Sequence, residues 1–283
     1  MKKYISTSIK SIATVTAFLA ICLQGYSQDK KQEISISVAG PGSFLKYSGG
    51  GTIVPGNGIS AGIRYSYYLN EGLSIGIGAE YQSYNSDAKY ASFSGQYVTK
   101  DAENETFQFR YKATNFREEQ SLSYINVPIA IQFETKGTTQ LYVAAGAKVG
   151  FAIKGCYQST FQNLTTSGYY PQYNVELFNP AFAGFASTND VKTSEQDLDT
   201  KVSYSATFET GVKQKIGNRT SFYLGAYIDY GLNNIYNKNG DKSLVQYNPD
   251  LPVQLQYNSV LDSPSVHNVR LVSYGLKLRF ALR

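Results

Sequence analysis

The amino-acid sequence predicts an all-β protein, a closed antiparallel transmembrane β-barrel of eight strands with long extracellular loops. Eight segments alternate apolar and polar residues with a period of two, as strands with two different faces do. The connections between these segments are alternately short and long. Only 17% of the 283 residues are charged, against roughly 25% in ordinary soluble domains. The 25 Tyr and 15 Phe residues make the chain too aromatic to be disordered.

Residues 1–27 are predicted to be a secretory signal peptide, which leaves residues 28–283 as the barrel domain. Three lysines precede the apolar run 12–23, and small residues occupy positions −3 and −1 of a cleavage site after Ser27. Cys22 leaves lipidation open as an alternative, although a bulky residue precedes it. Loss of the three lysines lowers the formal net charge from +5 to +2 (5 − 3). The basic balance is therefore no argument for a nucleic-acid partner.

The predicted strands are about as long as a tilted strand needs to cross a bilayer, roughly 9 to 11 residues. They cover residues 33–38, 59–69, 73–82, 124–134, 141–153, 202–216, 222–230 and 272–282. The short turns lie at residues 70–72, 136–138 and 217–219, and the long connections cover residues 40–57, 84–121, 155–200 and 233–265. Short periplasmic turns with long external loops are the layout of an outer-membrane barrel, whose closure leaves no unpaired strand edge in lipid.

Two stretches inside the long connections also alternate apolar and polar side chains, at residues 107–112 and 253–257. We expect both to be extensions of strands beyond the bilayer. The alternative is that they are two further spanning strands, which would make a ten-stranded barrel.

The apolar face of each strand is assigned to lipid because its aromatic residues fall into two bands, as at the two membrane interfaces. The predicted aromatic belts are Tyr67, Phe133, Phe222 and Phe280 near the short turns, and Tyr81, Phe151, Tyr204 and Tyr230 near the long loops. The opposite face is rich in Gly, Ala and Ser, which suits the narrow lumen of an eight-stranded barrel.

Charged side chains on the inward face should pair with one another or bind trapped water, because an unpaired charge there would be costly. The predicted lumen charge network consists of Glu33, Arg64, Glu80, Glu134, Lys148, Glu209, Lys213, Asp229, Lys277 and Arg279. Eight strands enclose a space that side chains can nearly fill. We therefore expect a packed polar plug rather than a conducting pore.

Three strand sequences carry a resemblance to a known family. Residues 124–128 read Tyr-Ile-Asn-Val-Pro, residues 141–147 are rich in small residues, and residues 272–280 form the closing strand. Together they resemble the porin-family, PorT-like outer-membrane β-barrels of Bacteroidetes, which are OmpA/OmpX-like eight-stranded barrels. The closing strand is also similar to the terminal signal read by the barrel-assembly machinery, except that Arg283 is the last residue. The resemblance implies a non-enzymatic protein embedded in the outer membrane, with no shared catalytic residues.

One cluster near the last strand could carry chemistry. His267 is the only histidine, so a site with several histidine ligands for a metal is excluded. With Asp262, Ser263 and Ser265 it raises the alternative of a hydrolase or acyltransferase at the barrel rim. A histidine at the edge of a strand beside an external loop is the interpretation that the sequence favours. We expect no catalytic residue.

A second cluster is acidic. Asp190, Glu195, Asp197 and Asp199 could bind Ca²⁺ through oxygen ligands, but their spacing matches no calcium-binding loop. A solvated acidic stretch is the interpretation that the sequence favours. We expect neither a metal nor another cofactor.

The long loops are the remaining place for a function, because they exceed what connection alone needs. The candidate loop binding surface is Tyr169, Tyr170, Tyr173, Phe178 and Phe182. Aromatic residues on a rigid scaffold suit recognition of proteins or glycans, although the same rings could simply pack the loops together. The sequence thus predicts a membrane-anchored scaffold or binding protein, or alternatively a narrow porin-like channel. Its expected partners are outer-membrane lipids and lipopolysaccharide, the barrel-assembly machinery during insertion, and an envelope protein.

Overall fold

The computed structural model describes residues 31–49 and 51–283, so the predicted signal peptide lies outside the described residues. The strands are β1 (Gln32–Ser48), β2 (Thr52–Asn57), β3 (Ser60–Tyr68), β4 (Leu73–Lys100), β5 (Thr106–Glu134), β6 (Thr139–Tyr170), β7 (Val175–Leu177), β8 (Ser187–Lys192), β9 (Gln196–Asp197), β10 (Ser203–Ile216), β11 (Thr220–Gly231), β12 (Val245–Asn248), β13 (Gln254–Tyr257) and β14 (His267–Leu282). Two short 3₁₀ helices lie at Ala181–Ala183 and Val260–Asp262. No helix in the described part of the chain is long and apolar enough to cross a bilayer.

Eight of these strands form a closed antiparallel ring. The order around it is β1, β3, β4, β5, β6, β10, β11 and β14, and β14 pairs with β1 to close it. The prediction of eight spanning strands is confirmed. The ten-stranded alternative is wrong, because residues 107–112 continue β5, and β13 pairs with β12 in a separate two-stranded sheet.

The two faces of the ring differ as the period of two requires. Apolar side chains such as Ile63, Ile131 and Leu276 point outward and are 56–61% exposed. Their neighbours in sequence point into the lumen, where Glu80 and Lys148 are buried. A continuous apolar outer wall of this kind needs lipid rather than water around it.

Three strands of the ring extend far beyond the bilayer. β4, β5 and β6 contain 28, 29 and 32 residues, which at about 3.3 Å per residue gives roughly 90 Å or more. The hydrocarbon core of a bilayer is only about 30 Å thick. We call the structure beyond it the cap and define it as residues 84–122, 155–200 and 235–269. Much of what the sequence predicts as loop in the second and third long connections is therefore paired strand.

The strand face that points inward changes within the cap. Asn115 adopts a left-handed backbone conformation (φ 48°), which asparagine tolerates better than most residues. On one side of Asn115 the buried side chains are odd-numbered, including Phe109 and Tyr111, and on the other they are even-numbered, including Phe116 and Glu118. This single residue lets both halves of β5 direct side chains into the molecule.

Candidate functional site

The middle of the lumen contains one group of ion pairs. The Lys148 ammonium lies 2.6 Å from a Glu80 carboxylate oxygen and 2.8 Å from one of Asp229. Lys277 lies 3.3 Å from Glu209 and 3.7 Å from Glu80, so it links two acids across the lumen. Each acid in this group thus faces at least one cation.

A second group closes the lumen at the end with the short turns. The Lys213 Nζ donates to Glu134 Oε2 at 2.9 Å, to Glu33 Oε2 at 3.2 Å and to the Tyr68 hydroxyl at 2.8 Å. The Tyr223 hydroxyl donates to Glu33 at 2.9 Å, while all five groups are buried. Arg283 covers the ring of Tyr68, with its guanidinium carbon 3.6 Å from the ring centroid.

Arg279 joins the two groups. Its guanidinium lies 3.9 Å from the centroid of the Tyr223 ring, donates to Gln132 at 2.7 Å, and lies 3.7 Å from Glu209. Arg64 donates to the backbone carbonyl of Ala130 at 3.3 Å from the same lumen wall. The structure therefore places all ten predicted lumen charges inside the barrel, five acids with five bases.

Little space is left between these side chains. The cavity at the middle of the lumen has a volume of about 30 Å³ and is lined by Arg64, Glu80, Lys148, Glu209 and Arg279, among others. Such a volume holds only two or three water molecules, by the usual allowance of roughly 10–15 Å³ per water of probe-occupied space. A hydrated ion cannot pass without displacing the paired side chains.

We expect the full mature protein to show little steady conductance in planar bilayers. The ion pairs would have to break for ions to pass, and the charges they leave behind in the lumen would be unpaired. Single-channel recording checks this prediction, with a general porin reconstituted in parallel to control for insertion. Large unit steps of reproducible size would show that the plug opens, and would favour the porin-like alternative.

The structure places the predicted aromatic belts on the outer wall. Phe222 and Phe280 are directly paired neighbours on β11 and β14 at the short-turn end, and Tyr67 and Phe133 are exposed at the same end. At the cap end, Tyr81 pairs with Ile125, which in turn pairs with Phe151. Tyr204 is also exposed, whereas Tyr230 is half-buried.

The cap has an apolar core of its own, in contrast to the polar lumen. Phe109 and Phe161 are almost completely buried, and the hairpin of β12 and β13 covers them. The Tyr247 ring lies 5.5 Å from that of Phe109, and the Tyr257 ring lies 5.4 Å from that of Phe161. The cap is thus a packed structure that can hold a surface in a fixed shape.

One carboxylate in this core is completely buried. Glu118 is fully buried and accepts hydrogen bonds from Ser259 Oγ at 2.7 Å, the Val260 amide at 2.8 Å, Gln120 Nε2 at 2.9 Å and Ser159 Oγ at 3.4 Å. No cation pairs with it in the described residues. Burial raises the pKa of Glu118 to about 7, and the four hydrogen bonds only partly oppose this effect.

Sequence reasoning missed Glu118 because it lies between two exposed charged residues, Arg117 and Glu119. One signal could have found it. Counting back in steps of two from the inward-facing Tyr124 and Leu122 reaches Glu118, so that residue shares the buried face of β5.

The residues of the candidate loop binding surface differ in their exposure to water. Tyr170 is buried, and its ring stacks on that of Phe107 at 5.2 Å, so it belongs to the cap core and not to an exposed surface. Tyr169 is half-buried, and its ring packs on the guanidinium of Arg110 at 4.4 Å. Tyr173, Phe178 and Phe182 are exposed, within residues 173–182, which we call the apex.

The structure does not assemble a catalytic group around His267. The Asp262 carboxylate is buried and accepts a hydrogen bond from the Tyr236 hydroxyl at 2.8 Å. Burial, and then this hydrogen bond, raises the pKa of Tyr236. The Ser263 and Ser265 hydroxyls lie 3.1 Å from each other. Within the described residues, the His267 side chain makes no hydrogen bond to Asp262 or to either serine.

The four acidic residues of the third long connection do not converge either. Glu195 pairs with Lys154 at 2.8 Å. In residues 31–49 and 51–283, no three His, Cys, Asp or Glu side chains are grouped as a metal ion would require.

Comparison with solved structures finds other membrane barrels. Neisserial surface protein A is 11% identical with a TM-score of 0.35, and the match covers 88% of this chain and 95% of that one. The attachment invasion locus protein Ail of Yersinia pestis is 10% identical with a TM-score of 0.32, covering 90% and 99%. At such identities and scores the likeness carries no functional information. The chain has no significant match among curated proteins.

A family model gives the stronger result. The model described as outer membrane protein beta-barrel domain matches residues 26–237, well over half of the chain. That span contains seven of the eight strands of the ring, from β1 to β11. With the closed ring and its apolar outer wall, this match shows that the chain belongs to the outer-membrane β-barrel domain family.

Proposed function

We propose that this protein is a non-enzymatic binding protein whose barrel anchors the cap in the outer membrane, with the apex facing outward to bind a partner protein. It would act as a PorT-like scaffold within an assembly of the cell envelope. The observation that carries the proposal is the group of large apolar side chains that the apex exposes to water. The closed lumen supports an anchoring role for the barrel rather than a transport role.

Exposed apolar residues have different surroundings at the two ends of the molecule. On the barrel wall, lipid covers them. The apex lies at the far end of the long strands, beyond the reach of a bilayer, yet Phe182 is 80% exposed and Phe178 is 53% exposed. Contiguous apolar surface in water usually marks a site for a protein partner.

The apex is also held in place by polar contacts. The Tyr173 hydroxyl donates to Glu105 at 3.0 Å, across to the turn between β4 and β5. Arg110 forms an ion pair with Glu176 at 3.0 Å. A surface that is fixed before binding loses less conformational entropy when a partner docks.

Site-specific photocrosslinking in intact cells tests this function. We expect a photoreactive residue at Phe182 to give a discrete adduct with one protein, because this side chain points away from the cap core. The matched control is Thr188 on β8, which is also exposed but lies in a polar stretch. In the same experiment, Phe178→Ser should abolish the adduct without unfolding the cap. Equal labelling from Phe182 and Thr188, or labelling unaffected by Phe178→Ser, would contradict the proposal.

A further inference from the structure

Two cations meet on the outer wall where the first and last ring strands close the barrel. Lys46 of β1 lies directly opposite Arg270 of β14 in the strand register. The Lys46 ammonium reaches across the wall, donates to the Tyr230 hydroxyl at 3.2 Å, and lies 5.1 Å from the centroid of its ring. Arg270 approaches the same hydroxyl. Three hydrogen-bond donors are thereby brought to one place on the surface.

This pair has no carboxylate partner. Like charges directly opposite each other on paired strands are destabilising. Among the residues described, no carboxylate lies within 4.0 Å of Lys46 or Arg270, and Arg270 Nε is buried without a hydrogen-bond partner. Lys154, also on the outer wall at the cap end, instead pairs with Glu195. An anion from outside the chain would satisfy both cations.

The height of the pair on the barrel indicates which anion. Tyr230, of the cap-end aromatic belt, pairs with Val272. Arg270 lies two residues before Val272 on β14, about 7 Å nearer to the cap. Aromatic belts lie at the level of the lipid headgroups. Below the pair, the rings of Phe44 and Tyr274 contact each other edge to face at 6.4 Å on the outer wall. The donors therefore lie above an apolar wall, at the depth of lipid phosphates.

We propose that Lys46 and Arg270, together with the Tyr230 hydroxyl, bind the phosphate of a phosphorylated glycolipid of the lipopolysaccharide type in the leaflet around the cap end. A phosphate carries the negative charge that both cations lack and accepts several charge-assisted hydrogen bonds. The acyl chains of the glycolipid would lie along Phe44 and Tyr274. The site depends on membership of the outer-membrane barrel family and makes no use of the apex, so it stands or falls independently of the cap's proposed partner.

Native mass spectrometry of the full mature protein in detergent micelles tests the site, with phosphorylated and dephosphorylated lipid A as probes. We expect the phosphorylated form to bind, and Lys46→Gln/Arg270→Gln to weaken its binding roughly tenfold, since two solvent-exposed ion pairs with the phosphate are lost. The matched control is Lys136→Gln/Lys215→Gln, which removes two exposed cations at the opposite end of the barrel and should bind as the unmodified protein does.

A second readout separates binding from folding. Without lipid, the Lys46→Gln/Arg270→Gln variant should have an unchanged or higher thermal midpoint, because it relieves a like-charge contact. Equal binding of both lipid A forms, or unchanged binding by this variant, would overturn the proposal. Competition by millimolar inorganic phosphate that removes the lipid completely would show a free-phosphate site and overturn the lipid assignment. None of these outcomes affects crosslinking from Phe182.

Discussion

Replacement of Lys213 by methionine is expected to lower the free energy of unfolding by about 3–5 kcal/mol, the range found when one partner of a buried ion pair is removed. Lys213 is fully buried, and its ammonium is the cation nearest to both Glu33 and Glu134. Methionine has a similar length but cannot donate a hydrogen bond. The two carboxylates would then face each other and the hydroxyls of Tyr68 and Tyr223 without a central cation.

Urea-induced unfolding of the mature barrel in lipid vesicles measures this effect. The matched control is Lys215→Met, two residues further along β10, where the side chain is exposed near the short turn. That change should alter stability by less than about 0.5 kcal/mol, as surface substitutions usually do. Adding Glu134→Gln to Lys213→Met should recover part of the loss, because it removes one of the two unpaired charges. If Lys213→Met lowered the free energy of unfolding no more than Lys215→Met does, the ion pairs of the lumen would not stabilise the barrel.

The spanning part of the fold could be predicted from sequence because its two faces meet different environments, lipid outside and the polar lumen inside. Lipid favours apolar residues on the outward face, as at Ile75 and Ile77, while the narrow lumen admits Ser74 and Gly76 between them. The alternation is then continuous over each strand, and a one-residue slip would exchange the two faces. The same alternation assigns all ten charged residues of the lumen to the inward face.

The cap was harder to predict because water surrounds its outer face. Polar and small residues can then occupy either side of a strand, as in the stretch from Ser92 to Lys100, and the inward face changes at Asn115. Tyr170 and Tyr173 look alike in sequence, yet one is buried and the other exposed. What distinguishes them is that the Tyr170 ring stacks on Phe107 of β5.

The Lys46–Arg270 pair shows a different limit. The two residues are more than 220 positions apart and meet only because β14 closes the ring against β1. Strand parity places each of them on the outer wall, but it does not give the register between the first and last strands. Contacts across a closure of this kind depend on the shear of the whole barrel.

Glu118→Gln is expected to stabilise the cap by on the order of 3 kcal/mol at pH 8. Near pH 4.5 the same substitution should change the stability of the cap little. The folded cap holds Glu118 with its pKa raised from 4.5 to about 7, chiefly through burial. Between these two values the folded state binds more protons than the unfolded state does. The stability of the unmodified cap should therefore fall as pH rises from about 4.5 to 7 and level off above that.

The geometry around Glu118 accommodates the substitution. Gln120 donates to Glu118 Oε1 through its amide nitrogen, while its own Oε1 has no hydrogen-bond partner. Rotation of the Gln120 amide would let it accept a hydrogen bond from a protonated Glu118 or from the new glutamine amide. The Val260 amide and the Ser159 hydroxyl can keep donating to the remaining oxygen, Oε2, while the Ser259 hydroxyl can accept from the new amide instead of donating.

Hydrogen exchange of the backbone amides in Val260–Asp262 and β13, compared between the two proteins at each pH, measures cap opening directly. At pH 8 these amides should exchange on the order of a hundredfold more slowly in Glu118→Gln, the ratio that about 3 kcal/mol implies. Glu119→Gln is the matched control, because Glu119 is exposed and pairs with Arg117 at 3.1 Å. Protection of the unmodified cap that rises with pH would mean that four hydrogen bonds outweigh burial and hold Glu118 as a carboxylate. The choice between these outcomes is a direct comparison of desolvation with hydrogen bonding at one buried residue.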